Sequence, residues 1–267
     1  MFKSIIFLWV SLIPISIFSI DLSSKVTIIT TCSPCPSYPR NIMLQITQNS
    51  LYKKIPQFES LPKIIVCDGV RNSANENSYN QYKKSLQRLV EINPQFKNTK
   101  LVFCSEWKCL VGALKEAMKE VQTEYVFVHQ DDFALIQPID LEGLIEAMDQ
   151  NHLIKMVRLG QGVSTVGKNP YEQFLDDYVE GGSSFPLLAT ALWSDNDHFA
   201  RKDYYESFIF PYYGDEKTFM EFKLMAAAHN AFHHNRKEYF EVFGNYLYGK
   251  FDEPPYLLHL DRHSSSW

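Results

Sequence analysis

The sequence predicts an α/β protein, a mostly parallel sheet flanked by helices in a single domain. Three observations predict it. Strand-like and helix-like patterns alternate from residue 26 to residue 148. The strand-like segments are unbroken apolar runs, as expected of strands buried on both faces. Polar and acidic residues follow those runs directly. In a parallel sheet with right-handed crossovers those positions form the carboxyl edge, where ligands bind.

Residues 26–31 read as the first strand and 44–52 as a short helix. Residues 63–67 (KIIVC) form a second apolar strand that stops at Asp68-Gly69. The stretch 71–79 is rich in Asn and Ser and predicts a loop. Residues 82–91 have helical spacing, 100–104 read as a third strand, and 111–121 place apolar residues at helical intervals. Residues 125–128 are a fourth strand, running into His129-Gln130-Asp131-Asp132. A helix follows over 141–148. The carboxyl edge then consists of Thr30-Thr31, Asp68-Gly69 and Gln130-Asp131-Asp132. The second half is less regular and aromatic, with a polar group at Trp193-Ser194-Asp195-Asn196-Asp197-His198. It reads as a layer laid across the sheet edge.

The bulk composition sets outer limits. The chain has 267 residues, 45% hydrophobic, and a formal charge of -5. That suffices for one sizeable core. Acids and bases are interspersed, which excludes the clustered basic face of a nucleic-acid binder. No internal repeat is present. Residues 1–20 pair Lys3 with an apolar run from Ile5 to Ile20, which reads as a signal peptide or signal anchor preceding a catalytic domain over 21–267. This predicts the secretory pathway or membrane attachment, with a Golgi-type lumen in a eukaryote.

Five cysteines are too few for a disulfide framework. Cys32 and Cys35 have the C-x-x-C spacing of thiol oxidoreductases. That chemistry needs the first Cys at a helix N-terminus, whereas Pro34, Pro36 and Pro39 favour an extended or turning loop. His229 and His233 have the i, i+4 spacing of zinc-protease helices, but Asn230 stands where the general-base Glu is needed, so a metalloprotease is rejected.

The main chemical signal is EYVFVHQDDF, residues 124–133. A buried strand delivers two adjacent carboxylates to the sheet edge. Taken alone, the residues leave two readings open: ligands for a hard divalent cation, or caps of a following turn.

The order of these segments resembles the GT-A glycosyltransferases, family 2-like enzymes in particular. VTIITT resembles their first strand and KIIVCDG their second. GALKEAM followed by EYVFV resembles the helix and strand leading to their D-x-D motif. HFARKDYYESFIFPYYGDEKTFMEFKL resembles the later segment with an acidic pair, and YLLHLDRH the C-terminal segment. The resemblance covers roughly residues 25–263 and implies a GT-A-like, Rossmann-like fold. It implies sugar transfer from a UDP- or GDP-linked donor to a hydroxyl of a glycan, lipid or protein, in an inverting reaction. It further implies a divalent cation, Mn²⁺ or Mg²⁺, on Asp132 and His259. Glu216, or Asp215 beside it, takes the place of the general base. Thr31, Asp68, Arg71, Gln130 and Asp131 map to nucleotide-binding positions. Gln130 replaces the first Asp of D-x-D and brings no charge. A nucleotidyltransferase and a non-catalytic relative of the same fold are the alternatives. The Cys/Pro-rich loop after the first strand argues against the former, which needs a Gly-rich, basic loop there.

Overall fold

The computed structural model describes residues 20–32, 41–162, 174–179 (backbone only) and 187–260. The leader over 1–19, Cys35 with its prolines, and residues 261–263 lie outside these. Eleven strands occur among the described residues: β1 (Val26–Cys32), β2 (Lys63–Cys67), β3 (Thr99–Phe103), β4 (Tyr125–Gln130), β5 (Phe133–Leu135), β6 (Met156–Arg158), β7 (Phe174–Val179), β8 (Leu187–Thr190), β9 (His198–Arg201), β10 (Asn245–Tyr248) and β11 (Leu257–His259). The helices are α1 (Leu22–Lys25), α2 (Ile42–Lys54), α3 (Glu76–Ile92), α4 (Cys109–Met118), α5 (Leu141–Gln150), α6 (Lys202–Tyr204), α7 (Phe210–Tyr213), α8 (Glu221–His234) and α9 (Arg236–Val242). None of the described helices is long and apolar enough to cross a membrane.

Nine strands form one sheet in the order β3-β2-β1-β4-β9-β6-β10-β8-β7. β1 pairs in parallel with both β2 and β4, and β2 with β3. β9 and β8 run against the rest. The predicted α/β sheet is therefore present and mostly parallel. Its strands are apolar because both faces are covered: every residue of β1 and of β2 is buried. Phe127 of β4 stacks on Phe199 of β9 at 4.3 Å, tying the parallel half to the mixed half.

Two expectations change. The stretch 71–79 is a loop only at its start. Asn72 accepts the Ala74 N–H and opens a short turn over Ser73–Asn75 that feeds α3 at Glu76, so Asn and Ser act here as caps. The second half is not a layer across the edge, since it contributes β6–β10 to the same sheet. Those strands are only three to six residues long, too short to show a period of their own.

Candidate functional site

The chain reverses after β4, and β5 begins three residues beyond Gln130. β11 pairs with β5, setting His259 opposite Phe133. The imidazole of His259 stacks on Phe133 at 4.8 Å, and its Nε2 lies 2.9 Å from Oδ2 of Asp132. The Leu260 N–H donates to the Asp132 carbonyl at 2.8 Å. Residues 127 positions apart in sequence thus share one point on the carboxyl edge. The other oxygen of Asp132, Oδ1, is buried with no hydrogen-bond partner. A buried carboxylate oxygen left unpaired is costly. An orphan oxygen beside an imidazole nitrogen fits a divalent cation. No group of three His, Cys, Asp or Glu that could hold a metal occurs among the described residues. The pair alone offers one orphan carboxylate oxygen and one imidazole nitrogen, a donor set that fits a hard divalent cation only with further oxygens from elsewhere.

The neighbours of Asp132 are held by the sheet. The Asp131 N–H donates to the Thr31 carbonyl at 3.1 Å, and the Thr31 hydroxyl donates to the His129 carbonyl at 3.3 Å. Burial, then the charge of Asp132, push the Asp131 carboxyl up to about 8, although the Cys32 thiol bonds to it. Cys32 lies opposite Cys67 in the β1–β2 register. Its thiol is pushed well up by the hydrogen bond to Cys67 and by burial, the reverse of what a redox nucleophile needs.

Gln130 does not reach outward. Its side-chain amide donates to the Asp195 carbonyl at 2.8 Å and its backbone N–H to Asp197 Oδ1 at 2.8 Å. Gln130 thus braces β4 against the segment entering β9. The other oxygen of Asp197 meets Nδ1 of the fully buried His129 at 2.5 Å. His198 is also buried, with Nδ1 2.5 Å from the Asn196 carbonyl and Nε2 2.6 Å from the Tyr205 hydroxyl. Burial holds it down at about 4, so it is neutral. Nδ1–H donates to Asn196, and Nε2 accepts from Tyr205. Tyr205 opens a π-turn over Tyr205–Ile209, a distortion common near functional sites.

Asp68 is 6% exposed. Its Oδ1 accepts the N–H groups of Gly69 and Lys108, each at 2.8 Å, and its Oδ2 that of Cys109 at 2.9 Å. The carboxylate thereby caps the N-terminus of α4 from a different strand, and burial raises its pKa. Gly69 is required beside it, because a Cβ there would lie 2.1 Å from the Glu106 carbonyl carbon. Arg71 stacks over the Trp107 ring at 4.9 Å on the rim of the same end.

The acidic pair Asp215 and Glu216 is exposed, and Glu216 is ion-paired with Lys223. No hydrogen bond joins either to the other acids. Glu221, the first residue of α8, occupies the inner position. Its Oε1 accepts the Ser194 hydroxyl at 2.7 Å. Asp195 lies beside it, within reach of the Met220 and Glu221 N–H groups. Burial, then the charge of Glu221, lift its carboxyl to about 7. Oδ2 of Asp195 is buried with no hydrogen-bond partner. The sequence reading missed Glu221. Its only signal is an acid at the start of a helical pattern, where a cap is the ordinary explanation.

No protein-family model matches the chain, and no curated protein sequence does. Solved structures match it in fold. The crystal structure of TarS from S. aureus superposes at a TM-score of 0.51 with 16% identity, over 87% of this chain and 36% of that one. The mannosyltransferase PcManGT from Pyrobaculum calidifontis, complexed with GDP-Man and Mn²⁺, gives 0.45 with 14% identity over 68% of this chain and 46% of that one. A CMP:2-keto-3-deoxy-manno-octonic acid synthetase complexed with CTP gives 0.46 with 13% identity, over 87% and 91%. The chain spans less than half the length of the first two. At these identities the likeness establishes the fold, which is that of the GT-A-type glycosyltransferases.

Proposed function

We propose that this protein transfers a sugar from a nucleotide-sugar donor to an acceptor hydroxyl with inversion, assisted by a divalent cation. The observation that carries the reading is the junction of Asp132 and His259 at the sheet's carboxyl edge, with Oδ1 of Asp132 buried and unpaired. Asp132 and His259 would hold Mn²⁺ or Mg²⁺, which neutralises a departing diphosphate. Gln130 holds the segment 195–197 in register with β4.

The acceptor hydroxyl must lose a proton as the new bond forms. Asp195 is too enclosed to reach it. Glu221 is half-buried and has Ser194 on only one of its oxygens. Its Oε2, which accepts no hydrogen bond from the described residues, takes the proton, and Asp195 behind it makes the site favour holding one. This reading moves the general base from Glu216 to Glu221.

The test is thermal unfolding of the full chain with UDP, GDP, CMP and their sugars, with and without Mn²⁺. Ligand at about 100 times Kd stabilises by ~2.7 kcal/mol, roughly 5–10 °C at this size. One nucleotide is expected to give a shift that Mn²⁺ enhances and Asp132→Ala removes. No shift with any nucleotide would remove the soluble-donor reading. A shift with CTP alone, with nucleotidyl transfer to a free sugar acid, would favour the nucleotidyltransferase alternative.

A further inference from the structure

His229 and His233 take no part in the site at the sheet edge. Both belong to α8, four residues apart, and a helix puts such a pair on one face, one turn apart. Both side chains are exposed. Their rings nevertheless meet, edge to face, with centres 4.4 Å apart. The backbone beneath them is fixed, because Leu224, Ala228 and Phe232 are buried and dock α8 on the core. The Phe232 ring packs edge-on against Tyr239 of α9 at 5.4 Å and against His233 at 5.5 Å, so one of the two imidazoles is braced from the side. Among the described residues, no hydrogen bond or ion pair engages either imidazole. A neutral imidazole offers one nitrogen lone pair, and here two such groups are held side by side with no protein partner for either.

We propose that His229 and His233 chelate one transition-metal ion of the Zn²⁺, Ni²⁺ and Cu²⁺ class, with water on its remaining positions. Imidazole nitrogen suits these ions, whereas Mg²⁺ and Mn²⁺ favour carboxylate, carbonyl and water oxygens. The site therefore differs in place and in chemistry from Asp132 and His259, and it does not depend on the transfer reading. Two imidazole nitrogens on one ion at ~2.0–2.1 Å set their ring centres roughly 5 Å apart. The rings stand close to that spacing already, so rotation of two exposed side chains completes the chelate without moving the helix. His233 lies in the last turn of α8, where the helix dipole favours positive charge. An ion held there ties together two successive turns at the end of the helix. Asn230 provides no general base beside the pair, so the ion is bound without the hydrolytic chemistry of the zinc proteases. His234 is adjacent in sequence but lies about 100° farther round the helix than His233, which makes it a control.

Zn²⁺ and Ni²⁺ are titrated calorimetrically into the full chain and into its Asp132→Ala, His229→Ala, His233→Ala and His234→Ala variants. One ion of either metal is expected to bind at this site in the parent and in Asp132→Ala alike, and Mg²⁺ in large excess does not displace it. His229→Ala and His233→Ala each weaken that binding about 10-fold or more, because a chelate becomes a single ligand. His234→Ala leaves it unchanged. Without metal, the three His variants melt with the parent, since these side chains are exposed. Absence of Zn²⁺ and Ni²⁺ binding overturns the chelate. So does binding that survives either His229→Ala or His233→Ala, binding that needs His234 equally, or binding that Asp132→Ala alone removes.

Discussion

Replacing Asp68 with Ala separates two roles for this residue, anchoring α4 and contacting a nucleotide. Three backbone N–H groups converge on its carboxylate at 2.8 to 2.9 Å. Lys108 is half-buried, so water can replace that bond. Gly69 and Cys109 are buried, and the Ala variant leaves both donors without an acceptor. At about 1–3 kcal/mol for each abandoned donor, the gross loss is about 2–6 kcal/mol. Relief of the buried carboxylate offsets part of this, leaving a net loss of about 1–5 kcal/mol. At roughly 2–4 °C per kcal/mol, the melting temperature falls by roughly 2–20 °C. Asp68→Asn keeps one acceptor oxygen for Gly69 and Lys108 and loses less. Urea unfolding followed by circular dichroism reads both variants, with an unchanged m-value as the sign of an intact native state. If Asp68→Ala costs under about 1 kcal/mol and still abolishes nucleotide binding, the anchoring argument is wrong and the carboxylate is a ligand contact.

Further outcomes are expected. Glu221→Gln lowers kcat by about 100-fold or more at unchanged donor affinity, while Glu216→Gln and Asp215→Asn stay near the parent rate. A reversed order in steady-state assays returns the base to the exposed pair. Asp195 makes stability fall as pH rises from about 4 to about 7, a fall that Asp131 adds to and His198, held at about 4, opposes. Folded Asp195 keeps its proton to about 7, whereas the unfolded residue releases it near 3.8. Asp195→Asn removes that component, so unfolding midpoints fall less with pH than in the parent, and an unaltered slope refutes the assignment. Gly69→Ala forces the Glu106–Trp107 backbone away and costs about 1–3 kcal/mol by thermal unfolding. A neutral result contradicts the close approach.

The parallel half of the sheet is legible in the residues alone. Runs such as residues 64–67 and 125–128 are apolar throughout because both faces are covered, and that pattern is local and readable. It also determined that Asp68, Asp131 and Asp132 lie at strand ends, and the order of segments pointed to the GT-A fold. The rest came from packing between segments far apart in the chain. Strands of three or four residues, such as β6, β8 and β10, show no periodicity, so their place in the sheet depends on neighbours distant in sequence. Gln130 was readable as a lost charge, but its new partners, Asp195 and Asp197, lie 65 and 67 residues away. The same holds for the acids: Asp215, Glu216 and Glu221 are chemically alike and close in sequence. What sets Glu221 apart is burial beside Asp195 and a bond to Ser194, and desolvation is a property of packing that no local pattern encodes.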